Sequence, residues 1–324
     1  MGAHGWRNRR VLPGAGCRVS APARQNGAAW FDDATVVASL PPHLRAYAAY
    51  SRLAVNRRSG RVVGGSFVLR WLHRLTPALH LPREARARVA ERTVYLDLTD
   101  ARFLWVLDEV RGLGSEHRVM QLLLRAGDTF LDVGANHGSF AILASHLVGP
   151  SGRVVAVEPQ PRLADLVRRS LAEAPAPFDV HAVALGEYHG EAALHVPTAG
   201  SGAASVVARP RTPARTLTVP LRRGDDLLAW RLFPGRLMIK LDVEGSEPAF
   251  LEGARGMIEA RRPVLLFELS AQQARAAGHT PEALLAKLRA LGYTQFAEVD
   301  RYPEATDGVE HDLERQRNLV AWHG

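Results

Sequence analysis

Cysteine is nearly absent: Cys17 is the only one in 324 residues. A lone thiol excludes an intramolecular disulfide framework and any multi-cysteine zinc site. No apolar run approaches the ~18–20 residues that a bilayer-spanning helix needs. The opening stretch MGAHGWRNRRVLPGAGC is basic but holds no apolar segment long enough for a signal peptide, so a cytoplasmic protein is the expectation. Lysine is nearly absent too. Lys240 and Lys287 are the only two among 41 basic residues; with the abundant Ala, Gly and Pro, this reads as a codon bias toward arginine. No internal repeat is visible.

What is present is a hydrophobic content of 47%, enough for a sizeable core. The net charge of +8 suggests a polyanionic partner, but its location argues otherwise. Residues 1–93 carry 16 arginines against four acids, whereas the rest of the chain carries 25 basic and 29 acidic residues. The basic excess therefore lies outside the part that holds the motifs below. A polyanion- or membrane-surface role for the N-terminal segment is the alternative to codon bias.

Three regions follow. Residues 1–28 are rich in Gly, Ala, Pro and Arg without apolar periodicity and read as a disordered tail. Residues 29–93 read as a basic helical segment: Leu44, Tyr47 and Leu53, then Val63, Phe67 and Trp71, recur at helical spacing, and Pro82 stands at a plausible helix start before Arg83–Arg92. From Val94 to residue 324, strands alternate with helices, the pattern of a parallel sheet covered on both faces. Strands are expected at Val94–Leu98, Thr129–Val133, Arg153–Val157, Val180–Val183, Leu217–Leu221, Leu237–Leu241, Val264–Phe267, Thr294–Glu298 and Asn318–Trp322. Helices are expected at Phe103–Val110, Glu116–Arg125, Ser139–Leu147, Arg162–Ala174 and Pro281–Leu291. The polar, small-residue stretch Gly200–Pro213 reads as a mobile loop.

Four strand ends carry chemistry. In LDVGANHGSF (131–140) an apolar strand ends near Asp132, turns on Gly134, and enters a helix after Gly138. Glycine lets a ligand approach the backbone closely, and open α/β sheets bind ligands at such strand ends; a tight structural turn is the plainer reading. In VVAVEP (154–159) a second strand ends in Glu158, placed to accept hydrogen bonds from a ribose diol. A nicotinamide dinucleotide would use the same acid. However, the full G-x-G-x-x-G fingerprint is broken by Asn136, whereas an adenosyl cofactor without a pyrophosphate tolerates the looser loop. In IKLDVEGSEPAFLEGA (239–254) a strand ends in Asp242 and Glu244, which strand alternation would point the same way. Two carboxylates there suit a contact to cofactor or substrate and the removal of a hydroxyl proton; a capping acid with a solvated neighbour is the alternative. Glu247 reads as helix-dipole compensation. In RPVLLFEL (262–269) a buried strand ends in Glu268, on the same rim.

Taken together with AVALGEYHG and the Ser205 loop, these segments resemble the FkbM-type methyltransferase family over roughly residues 94–323. The resemblance implies a class I Rossmann-like methyltransferase fold: α/β, with a mostly parallel seven-stranded sheet and helices on both faces. It implies S-adenosyl-L-methionine (AdoMet) as cofactor and O-methylation of a sugar, lipid or secondary-metabolite hydroxyl. Carried over, Asp132, Gly134, Ala135, Asn136 and Gly138 line the AdoMet loop, Glu158 with Pro159 holds the ribose, Ala184 and Leu185 flank the adenine, and Asp242 and Glu244 stand near the reaction centre. Glu244 is the first candidate base, Asp242 the second and His137 the third. His137 departs from the aliphatic residue usual in the family, and a structural histidine at a helix start is its plainer reading. Asp242 and Glu244 are hard oxygen ligands, but no third ligand stands at a convincing spacing, so a divalent metal is allowed and not favoured. The competing readings are an RNA methyltransferase using the basic N-terminus and a non-catalytic AdoMet-binding partner subunit.

Overall fold

The computed structural model describes residues 33–42, 44–46, 48–49, 82–100, 102–198, 200–207, 213–304 and 309–324. The expected tail over 1–28 and the helical spacing through Tyr47, Leu53, Val63, Phe67 and Trp71 lie outside the described residues.

The first described element is a short helix, α1 (Ala34–Ser39), whose N-cap Asp33 accepts from the amides of Thr35 and Val36. The helix expected over Arg83–Arg92 is not formed. Strands β1 (Glu84–Val89) and β2 (Arg92–Asp97) make an antiparallel hairpin instead. The reason is legible in EARARV: Ala85, Ala87 and Val89 alternate with charged residues, and every second side chain is buried. The hairpin also crosses the expected boundary at residue 93. The Tyr95 amide donates to Ser170 Oγ at 2.9 Å, and Arg86 pairs with Glu173. Val36, Ala87 and Leu96 join one buried cluster with residues of the main sheet.

The elements that follow are α2 (Phe103–Arg111), α3 (Ser115–Leu123), β3 (Thr129–Val133), α4 (Ser139–Val148), β4 (Arg153–Val157), α5 (Pro161–Leu171), β5 (Phe178–His181), β6 (Ala184–Leu185), β7 (Gly190–Pro197), β8 (Ala214–Arg222), α6 (Gly224–Leu227), β9 (Leu237–Leu241), α7 (Glu247–Gly253), α8 (Arg255–Arg261), β10 (Val264–Leu269), α9 (Ala271–Ala276), α10 (Pro281–Ala290), β11 (Gln295–Glu298) and β12 (Arg317–Trp322). Seven strands form one sheet in the order β11-β12-β10-β9-β3-β4-β5, with β12 antiparallel to both neighbours and the other pairings parallel. Two expected strands lie elsewhere. β2 belongs to the hairpin, and β8 joins β6 and β7 in a separate three-stranded sheet with its own small core around Leu194 and Val219.

The central strands β3, β4 and β9 are buried on both faces, which is why their sequences are mostly apolar without alternation, with charge confined to Asp132, Arg153 and Lys240. Alternate residues feed opposite layers: Phe130 and Val154 join the cluster beneath α4, while Leu131, Val133 and Val155 join the one beneath α7, α8 and α10. The chain leaves β3 toward β4 on one side, and β9 lies on the other. This reversal of strand order opens a crevice at the carboxyl ends of β3, β4 and β9.

Candidate active site

A cleft of about 810 Å³ occupies that crevice. Its floor is the turn after β3. Gly134 has φ +85°, and a Cβ there would lie 1.9 Å from the carbonyl oxygen of Asp242, so only glycine lets the two strand ends approach. Asn136 also lies in the left-handed region, at φ +51°, which asparagine tolerates better than most residues. That explains how it stands where the dinucleotide fingerprint has its second glycine. Asp132 sits beneath the turn, fully buried. Its Oδ2 accepts the Ala141 amide in the first turn of α4 at 3.1 Å, and its Oδ1 has no hydrogen-bond partner among the described residues. Burial pushes its carboxyl up to about 6.

Glu158 closes the β4 end of the cleft. It is 3% exposed, and its two oxygens accept the Asn136 and Gln160 amides at 2.8 and 2.9 Å. Burial outweighs these bonds and lifts its carboxyl to about 7. Val183, Ala184 and Leu185 form an apolar wall nearby. A strap over residues 200–207 covers the cleft. Ser201 Oγ accepts from Asn136 Nδ2 at 2.9 Å, the Asp100 carboxylate accepts from the Ser201 amide, and Ser205 Oγ donates to the Glu244 carbonyl at 2.8 Å.

The far end is acidic. β9 stops at Leu241, so strand alternation does not govern Asp242 and Glu244; Glu244 has φ +54°. Both still line the cleft. Glu268 joins them, and one carboxylate oxygen from each of the three lies within 4.8 Å of the others. The Gln273 amide donates to Glu244 Oε2 and, at 2.8 Å, to Glu268 Oε2. Burial, then the charges of Asp242, Glu268 and Glu247, pushes the Glu244 carboxyl up to about 8. Lys240, buried in β9, donates to Asp242 Oδ2 at 2.9 Å and lies over the Phe140 ring. Burial disfavours its charge, but Asp242, Asp132 and Glu116 more than reverse this and keep it protonated. Glu247 does more than compensate a dipole: its Oε1 accepts the Val243 and Gly245 amides and fixes the turn that carries Glu244.

The cleft thus gathers Gly134, Ala135, Asn136, Glu158, Pro159, Ala184, Leu185, Asp242 and Glu244. Asp132 and Gly138 support it from below without lining it. His137 is not brought to it. The ring is 1% exposed, its Nδ1 lies 2.7 Å from Asn136 Oδ1, and burial lowers its pKa, which suits a structural histidine. The sequence reading missed Lys240, Gln273 and the strap's Ser201. Lys240 did carry a signal, being one of two lysines in the chain and the only charge in the strand LMIKL.

A seven-stranded sheet with one antiparallel strand, a glycine turn after β3 and an acid just beyond β4 make up the Rossmann-like fold that AdoMet-dependent methyltransferases share. The chain belongs to the FkbM methyltransferase family: the model of the methyltransferase FkbM domain matches residues 132–294, half of the chain. Among solved structures, the methyltransferase FkbM from Methylobacillus flagellatus KT is similar at 19% identity and a TM-score of 0.38, over 80% of this chain. The chain spans 60% of that protein's length. Fibrillarin from Aeropyrum pernix, solved with natively bound S-adenosyl-L-methionine, is similar at 12% identity and a TM-score of 0.38, over 74% of this chain and 87% of its own. No curated protein matches the chain. No helix among the described residues is long and apolar enough to cross a membrane.

The residues of the cleft fit AdoMet. A pyrophosphate would need free amides at the start of α4, but Asp132 already takes the Ala141 amide there. The acid-rich end of the cleft suits a cationic sulfonium and amine rather than phosphates.

Proposed function

We propose that the enzyme transfers the AdoMet methyl group to a hydroxyl oxygen of a sugar, lipid or secondary-metabolite acceptor, with Glu244 as the general base. The observation that carries this reading is Glu244 itself. It is a largely buried carboxylate on strained left-handed backbone, at the mouth of the cleft that Glu158 closes, with its pKa raised to about 8. A base works best when its pKa lies near the operating pH, and backbone strain of this kind is commonly held at working sites.

When bound, AdoMet supplies a methyl carbon activated by its sulfonium. The protein's residues do the rest. Glu158 would hold the ribose hydroxyls, the turn from Gly134 to Asn136 would line the cofactor, and Ala184 and Leu185 would flank its adenine. Asp242, neutralised in part by Lys240, borders the reaction centre. Glu244 takes the acceptor's proton as its oxygen attacks, and Gln273 orients the carboxylate for that transfer. Holding the acceptor oxygen in line with the methyl carbon supplies most of the remaining acceleration.

Glu244→Gln tests this. Turnover should fall by about 10²–10⁴-fold, the usual worth of a positioned base, while calorimetry shows unchanged affinity for S-adenosylhomocysteine. Wild-type turnover in the variant would remove Glu244 from the role.

A further inference from the structure

His137 stands beside the cleft and has no part in the proposed chemistry. Its ring is 1% exposed, and Nε2 is buried with no hydrogen-bond partner among the described residues. An aliphatic side chain would fill the same space without burying a lone polar atom, which is costly. What the ring gains lies at its other nitrogen. Nδ1 is 2.7 Å from Asn136 Oδ1. An amide oxygen only accepts, so Nδ1 carries the proton and Nε2 is the bare nitrogen.

That bond decides which way the Asn136 amide faces. With Oδ1 turned to His137, Nδ2 points to the strap and donates to Ser201 Oγ at 2.9 Å. Turning the amide over would set its NH₂ against Nδ1–H, donor against donor. The Asn136 backbone amide meanwhile donates to Glu158 Oε2 at 2.8 Å. One residue therefore joins the buried ring, the acid at the β4 end of the cleft and the strap.

The two ends of the strap are held differently. At the far end, the backbones of His195 and Ser205 exchange bonds of 2.9 and 3.1 Å, which tie the strap to β7. At the near end, Ser201 is held by side chains, those of Asn136 and Asp100. Rotation of a side chain frees the near end, whereas the far end needs the backbone to move. Ser201, Gly202, Ala204 and Val206 all line the cleft, so release of the near end would open it.

We infer that His137 is a positioning residue: its Nδ1–H fixes the Asn136 amide and, through it, latches the strap over AdoMet, setting how long the cofactor stays. The inference rests on AdoMet occupying the cleft. His137 itself touches neither cofactor nor acceptor.

Two substitutions separate a latch from a space-filler. His137→Leu fills the space and removes the donor. His137→Asn leaves a void but places an amide N–H where Nδ1–H stands. Dissociation of S-adenosylhomocysteine from the full chain, timed by surface plasmon resonance, and hydrogen exchange over 200–207 are the readouts. His137→Leu and Ser201→Ala should each speed dissociation roughly three- to tenfold, the worth of one neutral hydrogen bond, and speed exchange across the strap. The double variant should be no faster than either, because both cut the same link. His137→Asn should stay near the wild type. Wild-type dissociation in His137→Leu, an asparagine variant no better than the leucine one, or multiplied effects in the double variant would overturn the inference. Nitrogen-15 NMR of the wild type with labelled histidines adds a check that no misfolded variant can spoil. The His137 signal, assigned by its loss in His137→Asn, should be that of the Nδ1–H tautomer, and an Nε2–H tautomer would overturn the inference equally. Failure of the folded wild type to bind S-adenosylhomocysteine would instead strike the cofactor reading, and the tautomer and strap exchange would still be scored without ligand.

Discussion

Glu158 ties the cofactor reading to a measurable pH dependence. Its carboxylate is buried and poised at about 7, while an unfolded glutamate titrates near 4.5. The raised value means that the folded, ligand-free protein holds this proton more tightly than the unfolded chain. The stability gained is therefore present at low pH and lost as pH rises through 7. A ribose diol donating two hydrogen bonds to the carboxylate favours the charged form and reverses the shift. Binding then selects ionised Glu158, and apparent affinity falls with the ionised fraction. With a pKa of about 7, roughly one-tenth is ionised at pH 6 and roughly nine-tenths at pH 8. The dissociation constant of S-adenosylhomocysteine should weaken about tenfold, or about 1.4 kcal/mol, from pH 8 to pH 6. Calorimetry in buffers of different ionisation enthalpy should record nearly one proton released per ligand at pH 6. Glu158→Gln should bind more weakly at pH 8 and lose the slope. A constant affinity in the wild type, or a slope that survives in the variant, would refute the link between Glu158 and the ribose.

Three further outcomes follow from the same geometry. Gly134→Ala forces a Cβ toward the Asp242 carbonyl at a left-handed position and should cost at least about 2–3 kcal/mol in urea unfolding; a neutral result would mean the turn is not as tight as described. Lys240→Met leaves Asp132 and Asp242 without their buried counter-charge and should cost about 3 kcal/mol by the same assay, a loss that Lys240→Arg would partly spare if charge is the cause. Exhaustive dialysis against EDTA should leave turnover intact, because the Gln273 amide already bridges Glu244 and Glu268; loss of turnover restored by magnesium would reassign Asp242, Glu244 and Glu268 as cation ligands.

The central sheet was legible because β3, β4, β9 and β10 are mostly apolar runs with an acid within one residue of each carboxyl end, and two of those ends carry a glycine turn. Burial on both faces writes itself into sequence in that way. The hairpin was misread because Pro82 offered a helix start, although the two-residue period of EARARV pointed to a strand. The small β6-β7-β8 sheet was only half seen: β7 is short of large apolar residues, and β8 reads as one more strand of the main sheet. The site divides along similar lines. Glu158, Asp242 and Glu244 sit within continuous motifs, so their neighbours announce them. Glu116 and Gln273 come from α3 and α9, which only folding brings together. His137 sits inside the best motif and yet does not line the cleft, because a helix start buries its first residues as readily as it presents them.

Hydrogen exchange read by mass spectrometry, with and without S-adenosylhomocysteine, tests the central claim most directly. The ligand should slow exchange over 132–140, 156–160 and the strap at 200–207, with α10 and β11 unchanged. Protection that avoids the ends of β3 and β4, or none in a folded protein saturated with ligand, would contradict it.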